Sequence, residues 1–280
     1  MLDKTGEGHV DSLLASIHKN GLDSARIAFQ SYDYAATMSG IHNGAQAKMS
    51  EKLKRTIPYI PCQGHRANTV MEHSCNASFI VTRLFEVLQS LFDFFTSSTK
   101  RHTILVDKMR DVENALQLRN LSKTRWTARA ESIRAVWTSF DAIVSSLRVI
   151  IDESSDVKTK ALADGLLSKI LKFDFIVALS FMKNIMWKTK IMTEKFQEEV
   201  LNIVDALKIL KGTISSLENI RNSAQIKDQI DAAVAFSEKY DIDCHEEYLR
   251  FHRPRNPPKR FRDSANDSLR GIEFYDYYEK

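Results

Sequence analysis

The chain has 280 residues, 43% of them hydrophobic and 27% charged, a balance that suits a folded domain with a sizeable core and excludes disorder over most of the length. Its formal charge of +4 and pI near 8.8 permit contact with nucleic acid without demanding it, because the acids nearly match the bases. No apolar run reaches the roughly 18 residues of a membrane-spanning helix; the richest stretch, Phe173 to Met186, is broken by Asp174, Ser180, Lys183 and Asn184.

In chain order, Val10, Leu13, Leu14 and Ile17 predict a short helix stopped by Asn20-Gly21. Arg26 to Gln30 reads as a short buried strand leading to Asp33. Gly44 to Lys54 predicts a second short helix, and Ile57 to Cys62 a second strand, kept at an edge or irregular by Pro58 and Pro61. This helix-strand-helix-strand order suggests an α/β layer whose strand ends carry functional groups.

From His65 to Arg253 there is no proline, and Gly165 and Gly212 are the only glycines. Strands need turn signals every ten or so residues, so this region is predicted to be predominantly helical over about 65–250. Ile80, Leu84, Val87, Leu88, Leu91, Phe92 and Phe95 recur at helical spacing, as do Ile133, Val136, Trp137, Phe140, Val144, Leu147 and Ile151. Phe173 to Met186 is apolar on nearly every face, which predicts a central helix buried by its neighbours. The stretch from His252 to Arg262 is basic and proline-rich, either a solvated connector or a flexible contact for phosphates.

Three cysteines, Cys62, Cys75 and Cys244, and an N-terminus from Met1 to Glu7 without a secretory pattern read as reduced thiols in an intracellular protein. Asp33 at a strand end serves either as a turn-former or as a ligand for a hard divalent cation. Cys62-Gln63-Gly64-His65 supplies half a zinc site, but a tetrahedral site needs a second pair. Cys244-His245 is adjacent in sequence and His73 with Cys75 is no better, so no zinc site is expected. In Thr124-Arg125-Trp126-Thr127-Ala128-Arg129 the Trp either stacks on an unpaired base while the guanidinium groups hold phosphates, or packs at a helix start with an Arg covering it.

Together, Thr5-Gly6-Glu7, Tyr32-Asp33 with Ala35 and Met38-Ser39-Gly40, Gly44, Cys62-x-x-His65 with Asn68, and Thr124-Arg125-Trp126 resemble the hAT transposase superfamily. The branch they resemble most is that of the zinc finger MYM-type protein 1-like proteins. The resemblance implies a catalytic domain similar to ribonuclease H, with two aspartates and a glutamate around two divalent metals (Mg²⁺ or Mn²⁺), and a helical domain inserted before the last carboxylate. It assigns Asp33 as the second, metal-binding catalytic aspartate and Cys62 and His65 to strand handling. Arg125 and Trp126 match the pair in which the Trp stacks on a flipped base, and Arg129 joins them as a nucleic-acid contact.

The expected fold is therefore an α/β fragment of a ribonuclease H-like core followed by a mainly α-helical insertion domain, helix-dominated overall. Residues 1–125 would form the partial core, 126–250 the insertion, and 251–280 a basic connector leading back toward the core. Two-metal phosphoryl transfer needs several converging carboxylates, and no acid falls where the family's first aspartate and last glutamate should lie. Tyr34 stands where relatives carry a small residue, and would narrow access to Asp33. The expectation is a truncated or domesticated, catalytically inactive transposase-like protein, nuclear, with no stably bound metal and with DNA as a partner. Its first sixty residues would be less well ordered than the helical region and would expose a sheet edge for pairing with another chain. The alternatives are a helical module for a protein partner or self-association, and an active metal-dependent nuclease. No membrane and no small-molecule substrate enter any of these readings.

Overall fold

The computed structural model describes residues 3–121, 126–198, 200–251 and 273–279. The chain divides into two compact units, residues 1–71 and 72–280.

In the first unit, α1 (Gly6–Lys19) begins where the Thr5 hydroxyl accepts from the Gly8 N–H at 3.1 Å, which satisfies one of the unpaired donors of the first turn. It ends at Asn20 and Gly21, whose φ of +69° is the left-handed geometry that glycine adopts without strain. Helix α2 (Ala36–Ser39) and α3 (Ala45–Lys52) follow, and α4 (Gln63–Asn76) closes the segment and crosses into the second unit. Val10, Ala45, Met49 and Ile57 form a small core, flanked by Leu14, Ile27, Tyr32, Met38 and Leu53. Helices α1 and α3 meet closely enough that a Cβ on Gly6 would lie 2.2 Å from the Asn43 carbonyl oxygen. Lys52 ties the pair by ion pairs to Glu7, at 3.2 Å, and to Asp11.

The expected α/β, ribonuclease H-like layer does not form. The described residues contain no sheet; Gln30 and Tyr59 make one isolated parallel bridge. Its rungs are Gln30 N–H to the Pro58 carbonyl and Ile60 N–H to the Gln30 carbonyl, followed by Cys62 N–H to the Tyr32 carbonyl, each 2.9 Å. Residues 58, 60 and 62 therefore turn their peptide groups toward the first segment. Pro58 lacks the N–H that would extend pairing backward, and Pro61 lacks the one that would recruit a third strand on the far side.

The first segment is equally unsuited to a ladder. Asp23 caps a 3₁₀ turn over Ser24–Arg26, and the Arg55 guanidinium takes the carbonyls of Ala25 and Ile27 at 3.0 and 2.6 Å. Phe29, expected inside a buried strand, is 60% exposed.

All the regular secondary structure among the described residues of the second unit is helical. After α5 (Phe79–Thr96) and α6 (Thr99–Met109) come α7 (Trp126–Thr138), α8 (Phe140–Glu153), α9 (Val157–Ile170) and α10 (Phe173–Lys195). Helices α11 (Ile203–Ile220), α12 (Ser223–Glu238), α13 (Cys244–Phe251) and α14 (Phe274–Glu279) complete it. Asn and Asp side chains start the helices where the sequence offers them: Asp156 accepts from Lys158 and Thr159 N–H, Asn202 from Asp205 N–H and Asn222 from Ala224 N–H. Helix α10 packs against α5, α7, α9, α11 and α12, so its all-round apolar composition is spent on five neighbours. The stripe through Ile133, Phe140, Ile143 and Leu147 lies in the same core as Leu84, Leu88, Leu91 and Phe95, each essentially inaccessible. No helix among the described residues is long and apolar enough to cross a membrane.

Replacing Leu147 with Ala deletes a fully buried side chain and is expected to lower the unfolding free energy by about 2–5 kcal/mol. The same truncation at the exposed Val157 should stay within roughly 0.5 kcal/mol of the parent. Urea unfolding followed by far-ultraviolet circular dichroism measures both.

Candidate nucleic-acid interface

In the first unit the Asp33 and Cys62–His65 segments lie side by side, joined by the Cys62 N–H to Tyr32 bond and by the rings of Tyr34 and His65 at 5.8 Å. The Asp33 carboxylate is exposed and accepts from the Ala35 N–H at 3.0 Å, the hydrogen bond of an Asx turn entering α2. The Tyr59 hydroxyl donates to the Asp33 backbone carbonyl at 3.0 Å. Among the described residues no three His, Cys, Asp or Glu side chains cluster so as to hold a metal ion. The donor set around Asp33 thus does not fit the two-metal site that the resemblance implies, and no catalytic step is derived through a metal. Burial pushes the Cys75 thiol up to about 11, against the pull of Arg129, and also raises Cys244; both stay protonated and make poor metal ligands at neutral pH.

Arg125 lies outside the described residues. Trp126 opens α7 and is 3% exposed. Its indole N–H donates to the Thr189 hydroxyl at 2.9 Å, and its ring meets Phe85 edge-on at 6.4 Å. The Arg129 guanidinium lies 5.0 Å over Phe85 and 5.9 Å from Trp126, and pairs with Glu72 at 3.0 Å. Of the two readings of this motif, the geometry is that of a packed Trp covered by an Arg. A base could reach the ring only after the start of α7 had opened.

A different pair of indoles, the exposed Trp187 and the half-buried Trp137, borders a surface cleft. A cleft of about 660 Å³ runs between α7 and α10, walled by α11 and α12. Helix α7 contributes Arg134, Trp137 and Thr138, and α10 contributes Lys183, Asn184, Trp187 and Lys188; Gln225 and Gln229 come from α12. Among the described residues no acidic side chain lines it. The Lys183 ammonium sits 3.9 Å from the Trp137 ring centre, whose other neighbour is Phe236, stacked at 4.7 Å. Arg134 lies 5.1 Å over Trp187, which is 44% exposed. Lys188 donates to the Ser216 hydroxyl at 2.6 Å, and Asn184 to Gln229 at 3.3 Å.

The indoles hold Lys183 and Arg134 in place without neutralising them, and a hydroxyl holds Lys188. Lys190, just outside, differs: it pairs with Glu131 and Glu194 at 3.2 and 3.4 Å. Burial holds the Lys183 ammonium below the ordinary lysine range, with no compensating carboxylate, as expected of a cation that lacks an anionic partner. Chemically the cleft is suited to phosphate oxygens, with the amides of Asn184, Gln225 and Gln229 in the same lining.

The sequence reading missed this site. The signal was present as Arg134, Trp137 and Thr138, spaced three and one apart, and as Lys183, Asn184, Trp187 and Lys188, spaced one, three and one. Each set occupies one helical face, but Trp137 was assigned to the core and the α10 residues lie inside or next to the most apolar run.

No family model matches the chain, and no solved structure matches it. Over 235 residues, 80% of this chain, it is 24% identical to a mouse protein named 52 kDa repressor of the inhibitor of the protein kinase. The matched segment is 31% of the mouse protein, so the chain spans about a third of that relative.

Trp126→Phe keeps the ring and loses the bond to Thr189, whose hydroxyl still reaches the Ile185 carbonyl at 3.1 Å. That variant should cost about 1 kcal/mol of stability, and Trp126→Ala about 3–5 kcal/mol. Chemical denaturation reads both, and equal, negligible losses would show that the ring is not part of the core.

Proposed function

We propose that this chain is a transposase-derived module of the hAT type that performs no catalysis by itself and binds nucleic acid, DNA in the first instance, by its phosphates. The cleft between α7 and α10 is the contact, and the nucleus is the compartment where such a module meets its ligand. The observation that carries this reading is the acid-free lining with three cations, Arg134, Lys183 and Lys188, in a chain whose charges otherwise nearly balance. The motif order around Asp33, Cys62, His65, Arg125 and Trp126 supports the transposase ancestry. The lone carboxylate at Asp33 supports the absence of catalysis and of a stably held Mg²⁺ or Mn²⁺.

A second reading, a module that binds other proteins, is favoured by α11. Ile203, Leu207, Leu210 and Ile214 recur there at spacings of four, three and four and are 37–74% exposed, and α11 has no buried residue. A monomer rarely leaves such a stripe on one helix uncovered. The mouse relative's name, a repressor of an inhibitor, describes action on another protein.

Fluorescence anisotropy with a labelled oligonucleotide separates the two readings. The parent should bind with a log Kd that rises with log salt, and removing one phosphate contact in Lys188→Gln should lower that slope by about 0.7–0.9. Trp187→Ala, which frees Arg134 from its ring, should weaken binding several-fold, and unchanged binding in both variants would remove the cleft from consideration. If no oligonucleotide binds at low salt, the protein-binding reading takes its place.

The buried ammonium makes the contact pH-dependent. Lys183 is charged below its lowered pKa and loses its charge as pH rises through it, so affinity should fall at lower pH than solvent-exposed lysines alone would allow. Lys183→Met should bind more weakly at neutral pH and flatten the dependence of Kd between pH 7 and pH 10. Incubation of DNA with Mg²⁺ or Mn²⁺ should give no cleavage from the parent or from Asp33→Asn; cleavage by the parent alone would restore Asp33 as a catalytic residue.

A further inference from the structure

The described C-terminal segment is an aromatic helix held against the second unit by two tyrosine hydroxyls. In α14, Phe274 is 7% exposed, stacks on Phe173 at 5.4 Å and meets His245 at 4.3 Å and Tyr248 at 5.5 Å. The Tyr278 hydroxyl donates to the Asp174 carboxylate at 2.7 Å, and the Tyr275 hydroxyl donates to Asp231 on α12, also at 2.7 Å. Lys227 lies over the Tyr275 ring at 5.3 Å, toward its face and away from the hydroxyl's acceptor.

The two bonds differ in exposure. The Tyr278 to Asp174 bond is partly buried, whereas the Tyr275 to Asp231 bond lies at the surface, where another protein can reach the phenol. Acidic residues flank Tyr275 in sequence, Glu273 on one side and Asp276 and Glu279 on the other. Charge patterns of this kind are what discriminating protein kinases read.

We propose that Tyr275 is a phosphorylation site for an acid-directed tyrosine kinase, and that its modification undocks α14. The phenolic oxygen attacks the terminal phosphorus of a nucleoside triphosphate; the new O–P bond replaces the phosphoanhydride bond, the phenolic proton is released and the diphosphate leaves. The consequence follows from what the hydroxyl now does. It gives its one proton to a carboxylate, so modification removes the donor and places up to two negative charges beside Asp231. The docked helix has six residues, and besides the Tyr275 bond it is held by the Tyr278 bond and by the rings of Phe274, Tyr277 and Tyr278 against Phe173 and Tyr248. Undocking uncovers Phe173, now fully buried, together with the buried Tyr248 ring of α13.

The test uses the full chain, a tyrosine kinase with an acidic-flank preference, and ATP. Mass spectrometry locates the phosphate, and hydrogen exchange of α13 and α14 reads the docking. The expected result is phosphate on Tyr275 with roughly tenfold faster exchange in both helices, and in Tyr275→Phe no phosphate at that position and no change of exchange on kinase treatment. Asp231→Asn supplies the discriminating arm. Its amide can donate to the phosphate, so the phosphorylated Asp231→Asn chain should keep slow exchange where the phosphorylated parent loses it. An unmodified Tyr275, a phosphorylated parent with unchanged exchange, or an Asp231→Asn chain that opens as fully as the parent would each overturn the proposal.

Discussion

The second unit depends on burying α10. A helix with apolar side chains on nearly every side cannot sit at a surface, so it must collect neighbours until little of it meets water. Here five helices do so, α5, α7, α9, α11 and α12. One polar group in this interface is satisfied across helices: the Trp126 indole and the Thr189 hydroxyl bond to each other inside the core. An indole N–H left unpaired there would cost more than the bond itself gains, which fixes the start of α7 against the middle of α10. The position of that contact then determines where the rest of α7 runs. Arg134 and Trp137, two and three turns on, are carried to the side facing Lys183 and Trp187.

The helical unit was legible because its signals are redundant. The long stretch without proline, the apolar stripes through Ile80 to Phe95 and Ile133 to Ile151, and the all-round apolar run of α10 each indicate helices packed on helices. In the first sixty residues α1 and α3 were legible for the same reason, with Asn20-Gly21 and Gly44 marking their ends. The sheet was not, because a strand is defined by a partner. Ile27 and Phe29 have strand composition, but Asp23 starts a turn just before them, Arg55 takes their neighbouring carbonyls, and Pro58 and Pro61 subtract donors from the only segment they meet. A short apolar run records propensity and says nothing about whether a ladder is available.

The candidate site shows the opposite failure. Trp126 attracted attention because of its neighbours in sequence, yet three-dimensional packing absorbs it. Trp137 and Trp187 did not, because fifty residues separate them in the chain and only the α7–α10 contact brings their faces together. Cations over indoles are also ambiguous in sequence, since Lys and Arg near Trp look the same whether or not a carboxylate neutralises them. Lys190 and Lys183 lie on the same helix, and only the positions of Glu131 and Glu194 make one a paired charge and the other an open one.

Helix α12 links these features physically. Gln225 and Gln229 line the cleft, while Lys227 and Asp231 meet Tyr275 of α14. Residues two apart on a helix are turned by about 200°, so the two pairs point to opposite sides of one rod. The wall of the cleft is thus backed by a short aromatic helix, attached by two tyrosine hydroxyls that donate to carboxylates and by its ring contacts. Because Ile230 and Ala233 are buried between those two sides, α12 moves as a packed body and not as separate side chains. Gln229, on the opposite side of the rod from Asp231, accepts from Asn184, so one helix joins α10 on one side and α14 on the other.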